Sequence, residues 1–176
     1  SVGRLVTTDH SGGTETIAVG ETRVELPLGS QVAAVVHCTG DGLLLRIQTQ
    51  ATTSALVFLD SKGQQHDLTN DGWSTGTFRG GTLYTASTSL ASLEWRRELS
   101  RWQPGDSAPS HLADLASAAM LPPIDVRPHL VTVGERDLNV AILWPEDHQL
   151  GRHKLPVIMS PYGGPHAQRV IEVGRA

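Results

Sequence analysis

Residues 32–59, VAAVVHCTGDGLLLRIQTQATTSALVFL, decide the fold. The first apolar run, at residues 32–38, is apolar enough for a central strand and is followed by a Gly-Asp-Gly turn signal. In residues 43–48, apolar side chains alternate with Arg46 and Gln48, as they do in a half-buried strand. Residues 55–59 are apolar throughout. The stretch therefore predicts three short strands joined by turns.

The same kind of short run recurs through the first 100 residues. Further runs lie at residues 2–6, 16–19, 73–78, 82–87 and 93–98. Strands at a spacing of about 8–12 residues favour a sandwich, a barrel or a propeller. The runs also group into units of roughly 40–50 residues, the size of one propeller blade. About two blades would fit, and two blades cannot close a propeller.

Composition narrows the possible partners. The chain has 14 basic and 18 acidic residues, and its net charge of −4 gives no reason to expect nucleic acid or an anionic membrane as a partner.

Aromatic residues make up only 5% of the chain, so the core is expected to be aliphatic. No apolar stretch reaches the roughly 18 residues of a membrane-spanning helix. Cys38 is the single cysteine, which excludes an internal disulfide, and we expect a reducing, cytoplasmic location.

The pattern changes between about residues 105 and 128. A segment rich in Pro and Gly ends at Pro109, and Ser110 is a good helix N-cap. The apolar residues that follow have helical spacing: Leu112, Leu115, Ala116, Ala119 and Met120. The sequence therefore predicts propeller blades in residues 1–106, a linker with a short helix in residues 107–128, and a second, partial domain in residues 129–176. Neither chain end resembles a natural terminus, so we expect a fragment of a longer protein.

The most informative loop lies in the last part of the chain. Two strands are predicted at residues 130–133 and 138–144, followed by a short buried strand at residues 155–159. The third strand runs into Ser-Pro-Tyr-Gly-Gly-Pro-His at residues 160–166. A sharply turned loop at the carboxyl end of a buried strand is where ligands bind in open α/β sheets. The alternative is a plain turn that joins a strand to a helix.

Residues 155–168, with Tyr-Gly-Gly-Pro at their centre, resemble the start of the catalytic domain in the prolyl oligopeptidase family of serine peptidases. The branch that they resemble most is that of dipeptidyl peptidase IV and the acylaminoacyl peptidases. The resemblance extends upstream through residues 131–144 and 112–123, and residues 72–88 are similar to a late propeller blade. It implies a mostly β chain, in which late propeller blades and a linker helix precede the first strands of an α/β-hydrolase domain. Residues 1–65 match only as generic blade strands.

The resemblance also implies residue roles. The family uses the tyrosine of this loop as an oxyanion-hole donor, which corresponds to Tyr162, and Gly163 and Gly164 would shape the substrate-binding turn. A phenol with a pKa near 10 stays protonated at working pH and can donate to the developing oxyanion. Such a donor lowers the barrier by about 3 kcal/mol. The family's Ser/Asp/His triad would lie beyond Ala176, so the fragment itself is expected to be inactive, and the substrate of the full-length protein would be a short peptide.

The motif G-x-S-x-G also occurs at residues 72–76, around Ser74. A nucleophile elbow requires a buried strand before the serine and a helix after it. Polar residues precede this motif and a further β-type run follows it. We therefore interpret Ser74 as part of a blade strand and exclude it as the nucleophile.

The sequence gives little support for a metal site or a cofactor site. The eight histidines show no H-E-x-x-H spacing, and no C-x-x-C or phosphate-binding loop is present, so neither a metal nor a cofactor is expected. The charged residues 94–101 read as a solvated, balanced face. A non-catalytic β-rich binding or scaffold module remains the alternative function. Blades outside a closed ring expose sheet edges, so we also expect self-association through those edges.

Overall fold

The computed structural model describes residues 6–11, 14–19, 21–50, 52–69, 72–90, 92–116, 128–145, 147–149, 151–161 and 170–171. Within these residues the chain forms strands and no helix. The strands are β1 (Val6–Ser11), β2 (Thr14–Val19), β3 (Thr22–Glu25), β4 (Gln31–Cys38), β5 (Gly42–Gln48), β6 (Ala55–Asp60), β7 (Gln65–Asp67), β8 (Trp73–Arg79), β9 (Thr82–Ser89), β10 (Ser92–Arg101), β11 (Ser110–Asp114), β12 (His129–Val133) and β13 (Leu138–Ile142).

The strands form successive antiparallel meanders. Strands β1–β3 form a three-stranded sheet, and β12–β13 form a two-stranded one. Between them lie two four-stranded sheets, β4–β5–β6–β7 and β8–β9–β10–β11, which we call the middle sheet and the third sheet. The middle sheet begins at residue 31 and the third sheet at residue 73, which is 42 residues later. This repeat of four-stranded meanders is typical of propeller blades, and the sheets do not close into a ring within the described residues.

The two central strands of the middle sheet, β5 and β6, are buried on both faces, which explains their nearly continuous apolar sequences. Leu43, Leu45 and Val57 belong to a core shared with Ile17 and Leu26 of the three-stranded sheet and its exit. Successive side chains point to opposite faces of a strand. The other face therefore forms a second core with the third sheet, whose buried members are Leu44, Leu56, Phe58, Leu68, Leu83 and Trp102. A strand that is covered on both faces has no polar face to show.

Two polar side chains interrupt these buried faces. The Glu15 side chain is 2% exposed, and its carboxylate accepts a hydrogen bond from the backbone N–H of Val32, where β4 has a bulge. This bond satisfies a donor at an irregular point of the ladder. The Arg46 guanidinium lies 5.8 Å from the centre of the Trp73 ring, so a cation–π contact joins β5 to β8.

The predicted linker helix is wrong over residues 110–114. Ser110 begins the strand β11 instead of capping a helix, and β11 pairs antiparallel with β10. Leu112 and Leu115 are spaced for a helix, but both remain exposed. A free edge on β10 offers main-chain hydrogen bonds to this segment, and those bonds decide in favour of a strand. Residues 117–127, which complete the predicted helix, lie outside the described residues.

The predicted strand at residues 155–159 is also wrong, since this segment has no regular structure. Its side chains are exposed: Val157 to 81%, Ile158 to 97% and Met159 to 79%. An apolar run becomes a buried strand only beside a pairing neighbour, and none of the described strands pairs with this one. The start of an α/β-hydrolase domain is therefore not seen within the part of residues 129–176 that the structure describes.

The preceding hairpin is confirmed, although its second strand ends at Ile142 and does not reach Trp144. β12 and β13 pair in register, with Val133 opposite Leu138. Gly134 and Asp137 have positive φ angles of 74° and 50°, which the tight turn between the strands requires. No described helix is long and apolar enough to cross a membrane.

Candidate functional site

Three residues of the predicted oxyanion loop, Tyr162, Gly163 and Gly164, lie outside the described residues. Their roles stay predictions. The chain that leads to them, through Ser160 and Pro161, is exposed.

Ser74 is not accessible as a nucleophile. It lies in β8, and its side chain is fully buried. Its backbone N–H donates to the carbonyl oxygen of Ser54 at 3.0 Å, and the Ser54 hydroxyl donates to the Ser74 carbonyl oxygen at 3.1 Å. The described strand β9 follows β8, not a helix. The sequence-based exclusion of Ser74 is therefore confirmed.

Packing accounts for the two glycines of this motif. A Cβ at Gly72 would lie 2.1 Å from the backbone oxygen of Thr88. A Cβ at Gly76 would lie 2.3 Å from the backbone oxygen of Tyr84 and 2.7 Å from Cδ1 of Leu56. Both glycines thus allow close approach of neighbouring chain segments, and G-x-S-x-G arises here from sheet packing.

A charged cluster joins β10 to β11. The Arg96 guanidinium lies 2.8 Å from a carboxylate oxygen of Glu98 and 3.9 Å from one of Asp114. His111 Nδ1 lies 3.4 Å from Glu98, and its Nε2 lies 3.7 Å from Asp114. Glu98, His111 and Asp114 could place three ligand atoms within 4.8 Å of one another around a metal ion. Arg96 already supplies the positive charge between the carboxylates, so the cluster reads as an ion-pair network.

Sequence analysis assigned Glu98 to a solvated face and missed its partners on β11. Nothing in the sequence indicated this pairing, because the helix expected from Ser110 would have placed His111 and Asp114 on a helix and not on a strand beside Glu98.

A partly buried acid–base pair, Asp60 at the end of β6 and His66 in β7, flanks the turn between these two strands. The Asp60 carboxylate is 3.4 Å from His66 Nε2 and also accepts the backbone N–H groups of Lys62 at 2.9 Å and Gln64 at 2.8 Å. Burial acts to raise the pKa of Asp60, but these hydrogen bonds and His66 outweigh it, so the pKa lies below its ordinary value. The His66 ring meets the Trp102 ring edge-on, with centroids 5.6 Å apart. The Asp60 carboxylate accepts hydrogen bonds from the backbone of the turn, so we interpret this pair as structural.

A cleft of about 330 Å³ opens where turns of the middle and third sheets meet. We call it the inter-sheet cleft. Its walls come from the β4–β5 turn, the β8–β9 turn and the segment after β10, with two aromatic rings between them. The lining residues are Thr39, Asp41, Phe58, Phe78, Gly81, Gln103 and Pro104. Sequence analysis assigned Asp41 only to a turn, because the cleft needs segments that are far apart in the chain.

Comparison with solved structures identifies a related fold. The chain is similar to the crystal structure of Porphyromonas gingivalis dipeptidyl peptidase 4, with a TM-score of 0.76 and 17% sequence identity. The similarity covers 97% of this chain and 26% of that protein, so the chain spans about a quarter of its length. No protein-family model matches the chain, and no curated protein matches it. At this identity the likeness establishes a dipeptidyl peptidase 4-like fold.

Proposed function

We propose that the chain is part of a serine peptidase of the dipeptidyl peptidase IV or acylaminoacyl type, which hydrolyses short peptides in the cytoplasm. The observation that carries the proposal is the fold. Two consecutive four-stranded meanders pack face to face, and the match to a dipeptidyl peptidase 4 runs through 97% of the chain. The resemblance of the Tyr-Gly-Gly-Pro loop at residues 162–165 supports the same family from sequence.

In this proposal the Tyr162 phenol stabilises the tetrahedral intermediate. A serine outside this chain attacks the scissile carbonyl, and negative charge develops on the carbonyl oxygen. The phenol O–H donates to that oxygen, while Gly163 and Gly164 give the backbone freedom to turn beside the substrate. No cofactor takes part in this acyl transfer.

The test is Tyr162→Phe in the full-length protein. We expect kcat for a chromogenic peptide amide to fall by about 10²–10³, since one oxyanion donor is lost. Tyr84→Phe, which removes a hydroxyl from β9 in the third sheet, is the matched control and should leave kcat unchanged. An unchanged kcat in Tyr162→Phe would remove the role proposed for this residue.

The 176-residue chain alone should not cleave the same peptide amide, because Ser74, the serine of its G-x-S-x-G motif, is buried and the family's triad is expected beyond Ala176. Cleavage that Ser74→Ala abolishes would contradict this. A full-length protein that lacks peptidase activity altogether would favour the non-catalytic β-rich module instead.

A further inference from the structure

Three side chains at the β11 edge of the third sheet can ligate one metal ion. Glu98 lies on β10, and His111 and Asp114 lie on β11, with one ligand atom of each within 4.8 Å of the other two. Their side chains are 21%, 49% and 66% exposed, so an ion can reach them from solvent. The sequence did not indicate this set, because His111 and Asp114 were expected on a helix.

An irregularity in the β10–β11 ladder brings these three side chains together. Glu98 lies opposite Asp114. Ser100 lies opposite His111, so the ladder skips Leu112 and the register shifts by one residue. In a regular strand, two residues three positions apart point to opposite faces. The bulge at Leu112 cancels this alternation and turns His111 to the face that carries Glu98 and Asp114, as bulges at sheet edges often do.

The charges of the cluster favour a divalent cation over the arginine beside it. Glu98 and Asp114 carry two negative charges and Arg96 one positive charge, so one negative charge stays uncompensated within the cluster when His111 is neutral. A divalent cation compensates both carboxylates. The Arg96 side chain is 67% exposed, and exposed ion pairs contribute little, so it can turn into solvent at small cost.

The donor set and its spacing suit Zn²⁺. An imidazole nitrogen together with carboxylate oxygens is a usual Zn²⁺ ligand set, whereas Mg²⁺ prefers oxygen ligands. Two ligands of a tetrahedral Zn²⁺, with bonds of about 2.0–2.1 Å, lie roughly 3.4 Å apart. His111 Nδ1 and the Glu98 carboxylate oxygen have this separation, 3.4 Å. Asp114 completes the set by rotation of an exposed side chain, and the fourth position is left for water.

We propose that the β10–β11 edge binds Zn²⁺ through Glu98, His111 and Asp114, and that the ion replaces Arg96 and fastens β11 to β10. The ligands come from both strands, so the ion adds a link between them. All five residues of β11 are exposed, so apolar burial does not supply such a link. The site shares no residue with the predicted oxyanion loop and is independent of the proposed peptidase chemistry.

The probe is Zn²⁺ alone, titrated into the full 176-residue chain and followed by calorimetry. We expect saturable binding, together with slower amide hydrogen exchange at Ala113 and at Leu115, whose N–H donates to the Arg97 carbonyl oxygen. Mg²⁺ at the same concentration should leave the exchange rates of both amides unchanged, because the imidazole is a poor ligand for it.

His111→Gln removes the nitrogen ligand and should raise the Kd for Zn²⁺ by at least roughly tenfold. His129→Gln, which removes an exposed imidazole from the first residue of β12, is the matched control and should leave the Kd within about twofold. Arg96→Gln removes the competing cation and should lower the Kd by about two- to fivefold, the equivalent of an exposed ion pair. Because Arg96 is exposed, this variant keeps the proposal testable even if His111→Gln disturbs β11.

Absence of saturable Zn²⁺ binding, a Kd that His129→Gln raises as much as His111→Gln does, or a Kd that Arg96→Gln does not lower would overturn the proposal. Binding that leaves exchange at Ala113 and Leu115 unchanged would contradict the link between the two strands.

Discussion

At the scale of single residues, close backbone approach decides which glycines the fold needs. Gly76 lies in β8, where a Cβ would lie 2.3 Å from the Tyr84 backbone oxygen. Gly40 has open space around its Cα and lies in the β4–β5 turn. The two glycines therefore differ in what a methyl group would meet.

Gly76→Ala should lower the free energy of unfolding by about 1–3 kcal/mol, because β8 and β9 must separate to admit the methyl group. Gly40→Ala should stay within about 0.5 kcal/mol of the parent. Urea denaturation of both variants checks the difference. Equal stabilities would mean that the two strands give way at no cost.

Asp60 makes stability depend on acid pH. Its folded-state pKa lies below the ordinary value of 3.8 because hydrogen bonds to the carboxylate outweigh burial. The unfolded chain therefore takes up a proton first as the pH falls. The stabilisation is complete above the unfolded pKa and is lost as the pH falls through the folded pKa.

Asp60→Asn should accordingly be less stable than the parent at pH 6, and the gap should narrow as the pH falls below 4. Denaturant midpoints at pH 6, 4 and 3 measure this gap. Asp147→Asn, at an exposed position, serves as the control for adding one amide. A gap that widens towards acid pH would contradict the assigned shift.

At the scale of strands, β11 depends on its contacts with β10. All five of its residues are exposed, so little apolar burial holds it in place. Two kinds of interaction hold β11 against β10: the main-chain pairing and the ion-pair network of Arg96, Glu98, His111 and Asp114. Exposed ion pairs contribute about 0–1 kcal/mol, so the network is expected to act locally.

Glu98→Gln should therefore change global stability by less than about 1 kcal/mol while it speeds amide hydrogen exchange at Ala113 and at Leu115, whose N–H donates to the Arg97 carbonyl oxygen. The amides of β8, at the far edge of the same sheet, should keep their exchange rates. Uniform acceleration across the sheet, or none at β11, would show that the network does not hold this edge.

Sequence patterns predicted the strands that carry apolar side chains and missed those that do not. Residues 32–38, 43–48 and 55–59 correspond to β4, β5 and β6. The short strands β3 and β7 are largely polar, and they form because a neighbouring strand supplies hydrogen-bond partners. β11 was predicted as a helix because Leu112 and Leu115 suit a helical spacing, and only the free edge of β10 decides against it.

The candidate site was predictable to a smaller extent. The G-x-S-x-G motif around Ser74 could be excluded as a nucleophile elbow from sequence, because polar residues precede it and a β-type run follows it. The Tyr162 loop rests on a resemblance, and the structure leaves it outside the described residues. The inter-sheet cleft joins turns about 40 residues apart, so no local pattern indicated it.

At the scale of the whole molecule, the described sheets leave apolar surface and strand edges without partners. Val133 and Leu138, on one face of the β12–β13 hairpin, are exposed. Val157 and Ile158, which follow later in the chain, are exposed too. Exposed apolar surface and unpaired strand edges both promote association between chains. We therefore predict that the 176-residue chain self-associates in a concentration-dependent way.

Sedimentation equilibrium measures this association. Charging the apolar segment by the double substitution Val157→Lys and Ile158→Lys should weaken it, because two ammonium groups would have to be buried at the contact. Leu28→Lys is the matched control, since Leu28 is 80% exposed but lies alone on the loop after β3. If the double variant associates as strongly as the parent, the contact lies on the strand edges. If the parent is monomeric at every concentration, neither the segment nor the edges can form a contact between chains.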